Sequence, residues 1–246
     1  MKKLILLILV SGICFCSISF AQNLVIGVEK LDYLPYYSGV DGEYKGFARE
    51  LLDAFAKTKG YKLQYKELPV RRLFKELLDE SVDFKFPDNP YWQTDMKKMK
   101  KVIYSDTVVK TIDGVMVLPA NKGKGIKEFK KIGTVMGFTP WPFKEMIGKG
   151  EIQVSENPNF KGLLTQVIKG RVSGAYLNPV VADYQLKKVL QKPGALVYNP
   201  SLPFSKNNYL LSTVKHKKVI NEFNTFLVEN KALVQSLKDK YEIVEE

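Results

Sequence analysis

The sequence predicts an α/β fold with mainly parallel sheet. Short apolar, β-branched runs alternate with amphipathic stretches of about a dozen residues, which implies βαβ units. The alternation occurs twice, as two similar sets separated by the polar, Gly-rich segment 119–125. The first set lacks a closing helix, and the helical C-terminus can supply one.

In order, residues 24–28 (LVIGV) read as a buried strand. A loop dense in Tyr and Pro follows, and Asp41-Gly42 supplies a tight turn. Beyond Gly46 the period changes: Phe47, Leu51, Leu52 and Phe55 recur at helical spacing. Residues 61–67 alternate as a half-buried strand that Pro69 ends. Residues 70–81 form a helix with Leu73, Phe74, Leu77 and Leu78 on one face, and 82–86 a third strand. The loop 87–92 and a short Lys-rich helix at 94–101 lead to a strand at 102–105 and a long one at 111–118.

The second set reads as strand 131–135, helix 140–147, strand 152–155, helix 159–169, strand 172–177, helix 179–190 and strand 195–198. A strand at 208–214 and a helical segment at 217–241 complete the chain.

The N-terminus reads as a secretory signal cleaved after Ala21. Lys2-Lys3 is its charged start, 4–10 open its apolar run, and Ser19-Phe20-Ala21 is a small-x-small site. Ile13 before Cys14 and Phe15 before Cys16 argue against lipidation. The expected mature chain, from Gln22, has no thiol, which excludes disulfides, thiolate metal sites and Cys nucleophiles. No later stretch approaches the roughly 20 apolar residues of a membrane span. Net charge is +12, but the lysines are scattered along helices and turns. We read them as solvated faces on an exported protein, with no nucleic-acid partner.

Strand, aromatic loop, turn, "GF", helix, repeated in order down the chain, resembles the bacterial periplasmic solute-binding proteins of family 3. These are the amino-acid-type substrate-binding proteins of ABC transporters. The resemblance runs from about residue 24 to the end. It implies the type II periplasmic binding fold: two lobes, each a mainly parallel sheet flanked by helices, with the ligand cleft between them. Lobe one would comprise 22–119 and 200–246, and lobe two, inserted, 120–199. The implied function is capture of a small polar solute, amino-acid-like or otherwise carboxylate-bearing, by a monomer that delivers it to a permease without cofactor or metal. Two rivals keep the fold: a ligand-sensing protein for a receptor, and a periplasmic lyase or dehydratase.

Catalytic signatures are sparse. The chain has no GxSxG, HExxH or phosphate loop, and its one histidine, His216, reads as a solvated residue without an evident partner. Binding signatures are better. Tyr33, Tyr36 and Tyr37 offer aromatic faces for an apolar or cationic ligand part. Arg72 at a helix start, where the dipole disfavours it, calls for an anion. Asp88 and Asn89 offer polar groups and Trp92 a stacking wall, after a strand whose carboxyl edge faces ligands in such folds. Thr139 as cap before Pro140, with Trp141 beside it, and Asn178 before Pro179 mark helix starts that can hold a carboxylate. Two positions depart from the family pattern. Lys98, or Lys97 after a one-residue shift, stands where the family has a carboxylate-clamping arginine, and Asn178 where it has an aspartate for the α-amino group. Lysine is a point charge without the bidentate fork, and asparagine carries no charge.

Overall fold

A computed structural model describes residues 22–40 and 42–245. The expected signal segment 1–21, with both cysteines, and Asp41 of the expected turn lie outside the described residues.

The first set is β1 (Asn23–Glu29), a hairpin of β2 (Asp32–Tyr33) and β3 (Tyr37–Ser38), α1 (Phe47–Lys59), β4 (Lys62–Leu68), α2 (Val70–Leu78), β5 (Phe84–Asp88), α3 (Thr94–Lys97), β6 (Ile103–Tyr104) and β7 (Val109–Val117). The second is β8 (Lys131–Val135), α4 (Lys144–Gly148), β9 (Gln153–Asn157), α5 (Phe160–Ile168), β10 (Gly174–Leu177), α6 (Pro179–Tyr184) and β11 (Val197–Tyr198). The chain closes with β12 (Ser205–Thr213), α7 (Lys217–Glu229) and α8 (Lys231–Lys240).

Among the described residues the main sheet runs β4-β1-β5-β12-β7-β10-β8-β9. Its two ends are parallel, β4-β1-β5 and β10-β8-β9. β7 and β12 join them antiparallel, and each changes partner midway. Residues 205–209 of β12 pair with 109–113 of β7, while Leu210 and Ser212 pair with β5. On β7, the residues from Gly114 onward pair with β10 and β11. Asp113 is thus the last β7 residue on β12 and directly precedes the first on β10.

Local chemistry ties the aromatic loop to α1. The helix starts with free N–H groups, and two of them find loop carbonyls: Phe47 N donates to Pro35 O at 3.3 Å and Ala48 N to Tyr36 O at 2.9 Å. Gly46 makes this possible. Its φ is 103°, and a Cβ there would lie 2.9 Å from Tyr37 Cα. Phe47, Ala48, Leu51, Leu52, Phe55 and Ala56 then bury one face of α1. Burial of such side chains contributes about 1.5–3 kcal/mol each for the larger ones.

Several expected boundaries shift. The helix expected over 70–81 ends at Leu78, because Glu80 takes a left-handed φ of 62° and Ser81 N turns back to Glu76 O. The third strand starts later than 82 and extends through Pro87 to Asp88. The Lys-rich helix is one turn. The helix expected over 140–147 begins as a 3₁₀ turn at Trp141–Phe143, and Thr139 makes no capping bond from its side chain. After α6 the helix widens into a π turn, Gln185–Val189, and the C-terminal helix divides at Asn230. No helix among the described residues is long and apolar enough to cross a membrane.

Candidate functional site

Where the two sets meet, a narrow cavity opens. The first set contributes Glu29 at the end of β1, Tyr33 and Tyr37 from the hairpin, Phe74 from α2, and Trp92 and Gln93. The second contributes Gly137, Phe138, Thr139 and Tyr176. The crossing strands place Asp113 and Tyr209 in the wall. An outer chamber shares Trp92, Asp113, Thr139 and Tyr176, and adds Tyr91, Trp141, Ser205, Lys206 and Asn207.

The aromatic wall is internally braced. Tyr33 and Tyr37 face each other across the hairpin, and their rings stack at 5.0 Å. Tyr33 also shares a 2.8 Å hydrogen bond, hydroxyl to hydroxyl, with Tyr209. Tyr36 and Trp92 meet Tyr209 edge-on, and Phe138 packs on Tyr33 from the second set. Burial pushes Tyr33, Tyr37 and Tyr209 well above the usual phenol range.

The buried charges differ in how they are compensated. Glu29 accepts hydrogen bonds from Tyr37 and from Lys85 Nζ at 3.2 Å. Lys85 is fully buried, donates also to Pro87 O, and lies 4.4 Å from the Phe74 ring centroid. A second pair lies behind, Lys97 with Asp88 at 2.8 Å, and burial draws the Lys97 ammonium below its ordinary range. Asp113 has no such cation. Its Oδ2 accepts from Asn207 Nδ2 at 2.5 Å, while Oδ1 is buried and meets no donor among the described residues. Burial raises its pKa to about 7, only partly offset by the Asn207 bond.

Contacts hold the two sets together around the cavity. Gln93 Nε2 donates to Gly137 O at 3.3 Å. Gln185 Nε2, brought in by the π turn, donates to Asp32 O at 2.9 Å and Oδ2 at 3.0 Å. Gly137, at φ 90°, passes so near α2 that a Cβ would stand 3.1 Å from Val70 Cβ.

Of the residues singled out from sequence, Tyr33, Tyr37, Trp92 and Thr139 line the inner cavity, and Trp141 lines the outer chamber. Tyr36 lies buried behind the wall. Arg72 is elsewhere: its side chain is 65% exposed and pairs with Glu76 one turn along the helix at 3.2 Å. Lys98 is 72% exposed and paired with Asp95. Asp88 is occupied by Lys97, Ser212 and the Asn89 N–H. Asn89 holds a turn, bonding Asn208 O and the Tyr91 N–H. Asn178 is a buried cap, accepting from Val180 N at 2.8 Å and Val181 N at 3.2 Å. None of these five lines the inner cavity or the outer chamber. The expected anion clamp of Arg72, Lys98 and a Thr139-capped helix is therefore not assembled. His216 also departs from expectation: it stacks on Phe84, and its Nε2 lies 2.8 Å from Asp83 Oδ1.

Sequence reasoning passed over Glu29, Asp113, Phe74, Phe138, Tyr176 and Tyr209. Asp113 carried a legible signal, as a lone carboxylate in the middle of the apolar run TIDGVMVL. Among the described residues, no cluster of three or more His, Cys, Asp or Glu side chains is placed to hold a metal.

Residues 24–242 match the model of the bacterial extracellular solute-binding proteins, family 3. The arginine-binding extracellular protein ArtP of Bacillus subtilis (strain 168) is 23% identical over 98% of each chain. An arginine third transport system periplasmic binding protein from Legionella pneumophila superposes with a TM-score of 0.72 at 17% identity, covering 90% of this chain and 100% of its own. A histidine kinase sensor domain resembling periplasmic binding proteins gives 0.76 at 16% identity, covering 92% and 98%. The fold is the two-lobed type II periplasmic binding fold, and the chain belongs to the bacterial extracellular solute-binding proteins, family 3.

Proposed function

We propose that the protein captures a small, amino-acid-like solute with a cationic group in the periplasm and hands it, as a monomer, to an ABC permease. The observation that carries this reading is the composition of the inner cavity. Its wall holds seven aromatic rings and the carboxylates of Glu29 and Asp113, with no Arg or Lys among its residues. Aromatic faces and carboxylates together favour a guanidinium or ammonium group. The names of the Bacillus and Legionella proteins, both referring to arginine, point the same way. A carboxylate on the solute would fall to the outer chamber, where Lys206 stands.

In this reading 22–119 with 200–246 form lobe one and 120–199 form lobe two, with β7 and β12 as the connection. Ligand binding shifts the lobes toward closure, and the closed form docks on the permease. Thermal shift and calorimetry on residues 22–246 test it, using basic, neutral and acidic amino acids, polyamines, organic acids and short peptides. Basic solutes should raise the melting temperature. If only acidic solutes do so, the cationic reading is wrong.

One observation favours a second reading, a lyase or dehydratase on the same fold. Asp113 is a cleft carboxylate with a pKa near 7, suited to proton transfer at neutral pH. Turnover of a bound solute, followed by proton NMR, would establish it.

A further inference from the structure

We propose that Asp113, on the strand that crosses between the lobes, is the anchor for the ligand's cation, and that Glu29 is not. The inference rests on the solute-capture reading and adds to it the residue that selects charge.

The argument is a count of compensated charge. Two carboxylates reach the inner cavity. Glu29 already has an internal counter-ion in the fully buried Lys85, held in place by Pro87 O and the Phe74 ring. Asp113 has a neutral amide on one oxygen and, among the described residues, no donor on the other. A buried carboxylate oxygen without a donor is costly, and buried polar groups in folded proteins are as a rule satisfied.

Its surroundings are fixed on one side only. Asn207 Nδ2 bonds Asp113 Oδ2 and also Ser205 Oγ at 3.0 Å, and Ser205 Oγ lies 2.6 Å from the Tyr176 hydroxyl. That polar chain aligns Oδ2 and leaves Oδ1 as the acceptor still to be met. Asp113 lines both the inner cavity and the outer chamber, so a cation arriving through either meets it.

Position adds a reason for this residue. Asp113 pairs with Ser205 on β12, and the next residue, Gly114, pairs with Leu177 on β10. A charge bound here touches the joint between lobes. Groups facing it from the packed elements are Tyr33 on β2, Tyr176 on β10, Tyr209 and Lys206 on β12, and, across the cavity, Glu29 with Lys85. The three phenols stay neutral well beyond physiological pH. Asp113 itself changes charge around neutrality.

The test uses L-arginine, putrescine, L-glutamine and L-glutamate with wild type and Asp113→Asn, by thermal shift and calorimetry at pH 6, 7 and 8. Arginine and putrescine keep their charge across that range. The wild type should bind at least one of them about tenfold more weakly at pH 6 than at pH 8. Asp113→Asn should bind it at least about tenfold more weakly at pH 8, with no pH trend. The wild-type pH profile stands even if the variant fails to fold. Equal affinity of a folded Asp113→Asn overturns the anchor and leaves solute capture intact. So does a flat wild-type profile, or binding of glutamine or glutamate alone. If none of the four raises the wild-type melting temperature, solute capture itself fails and the anchor with it.

Discussion

Glu29 and Asp113 lie in one cavity and behave differently because of a single lysine. Removing Lys85 leaves Glu29 as a buried charge without its cation. Such a loss costs about 3–5 kcal/mol, whereas apolar replacement of both partners can be nearly neutral. Lys85→Met should therefore lower unfolding free energy by about that amount, and Glu29→Leu with Lys85→Met should recover most of it, as urea denaturation can show. Asp113 acts on stability in the opposite sense. Its carboxyl holds a proton up to about pH 7 in the fold but loses it near 3.8 when unfolded. The folded state binds more protons in that window, so stability falls as pH rises from about 4 to 7 and levels off above. The loss is roughly 2–4 kcal/mol at the top of the window. Asp113→Asn should remove this slope and, above pH 7, melt higher than wild type while binding cations poorly. This contrast was hard to foresee, since Glu29 and Asp113 both end or interrupt apolar runs and only the fold shows which has a lysine beside it. For Arg72 and Lys98 the signal was present. Glu76 at i+4 and Asp95 at i−3 are helical ion-pair partners, and they answer those charges locally.

At the scale of elements, strands and helices were legible because their periods are set by burial on one face, as in α1 and α2. Their ends were not. The stop of α2 depends on a left-handed Glu80, and the π turn at 185–189 has no compositional signature. Both matter to the site: the π turn carries Gln185 to Asp32, and β5 running on to Asp88 brings Pro87 O to Lys85. The approach of Gly137 to α2 was equally hidden. Gly137→Ala places a Cβ against Val70 at a φ that L residues rarely adopt, a cost of roughly 1–3 kcal/mol. If the lobes open, the φ strain persists while the Val70 contact is lost. We expect Gly137→Ala to weaken ligand binding, and Val70→Ala in the same chain to restore part of it. A double-mutant cycle by calorimetry measures the coupling, and a coupling of zero would mean that the contact is not specific to closure.

For the whole molecule, the question is what keeps the lobes together once a ligand has entered. Besides the Tyr176–Ser205 bond at the crossing strand, polar side chains reach across the cleft at Arg71, Gln93 and Gln185, and their environments rank them. Arg71 to Glu156 is long at 3.5 Å, with an arginine 69% exposed, and such pairs contribute about 0–1 kcal/mol. Gln93 gives one bond, to Gly137 O. Gln185 is nearly buried and gives two, to the carbonyl and the carboxylate of Asp32. A net hydrogen bond contributes about 0.5–1.5 kcal/mol, and more when one partner is charged. Gln185 should therefore be the principal latch. If closure and binding are linked, whatever destabilises the closed state lowers apparent affinity by the corresponding factor. Gln185→Ala should weaken ligand binding about 2- to 10-fold, and Arg71→Ala less than about twofold. Small-angle scattering of liganded Gln185→Ala should show a larger radius of gyration than liganded wild type, while denaturation of the unliganded proteins differs little. If Gln185→Ala instead lowers unliganded stability as much as it lowers affinity, the bond is part of the resting structure rather than a latch, and closure must be held by the aromatic wall that joins Tyr33 to Phe138 and Phe160.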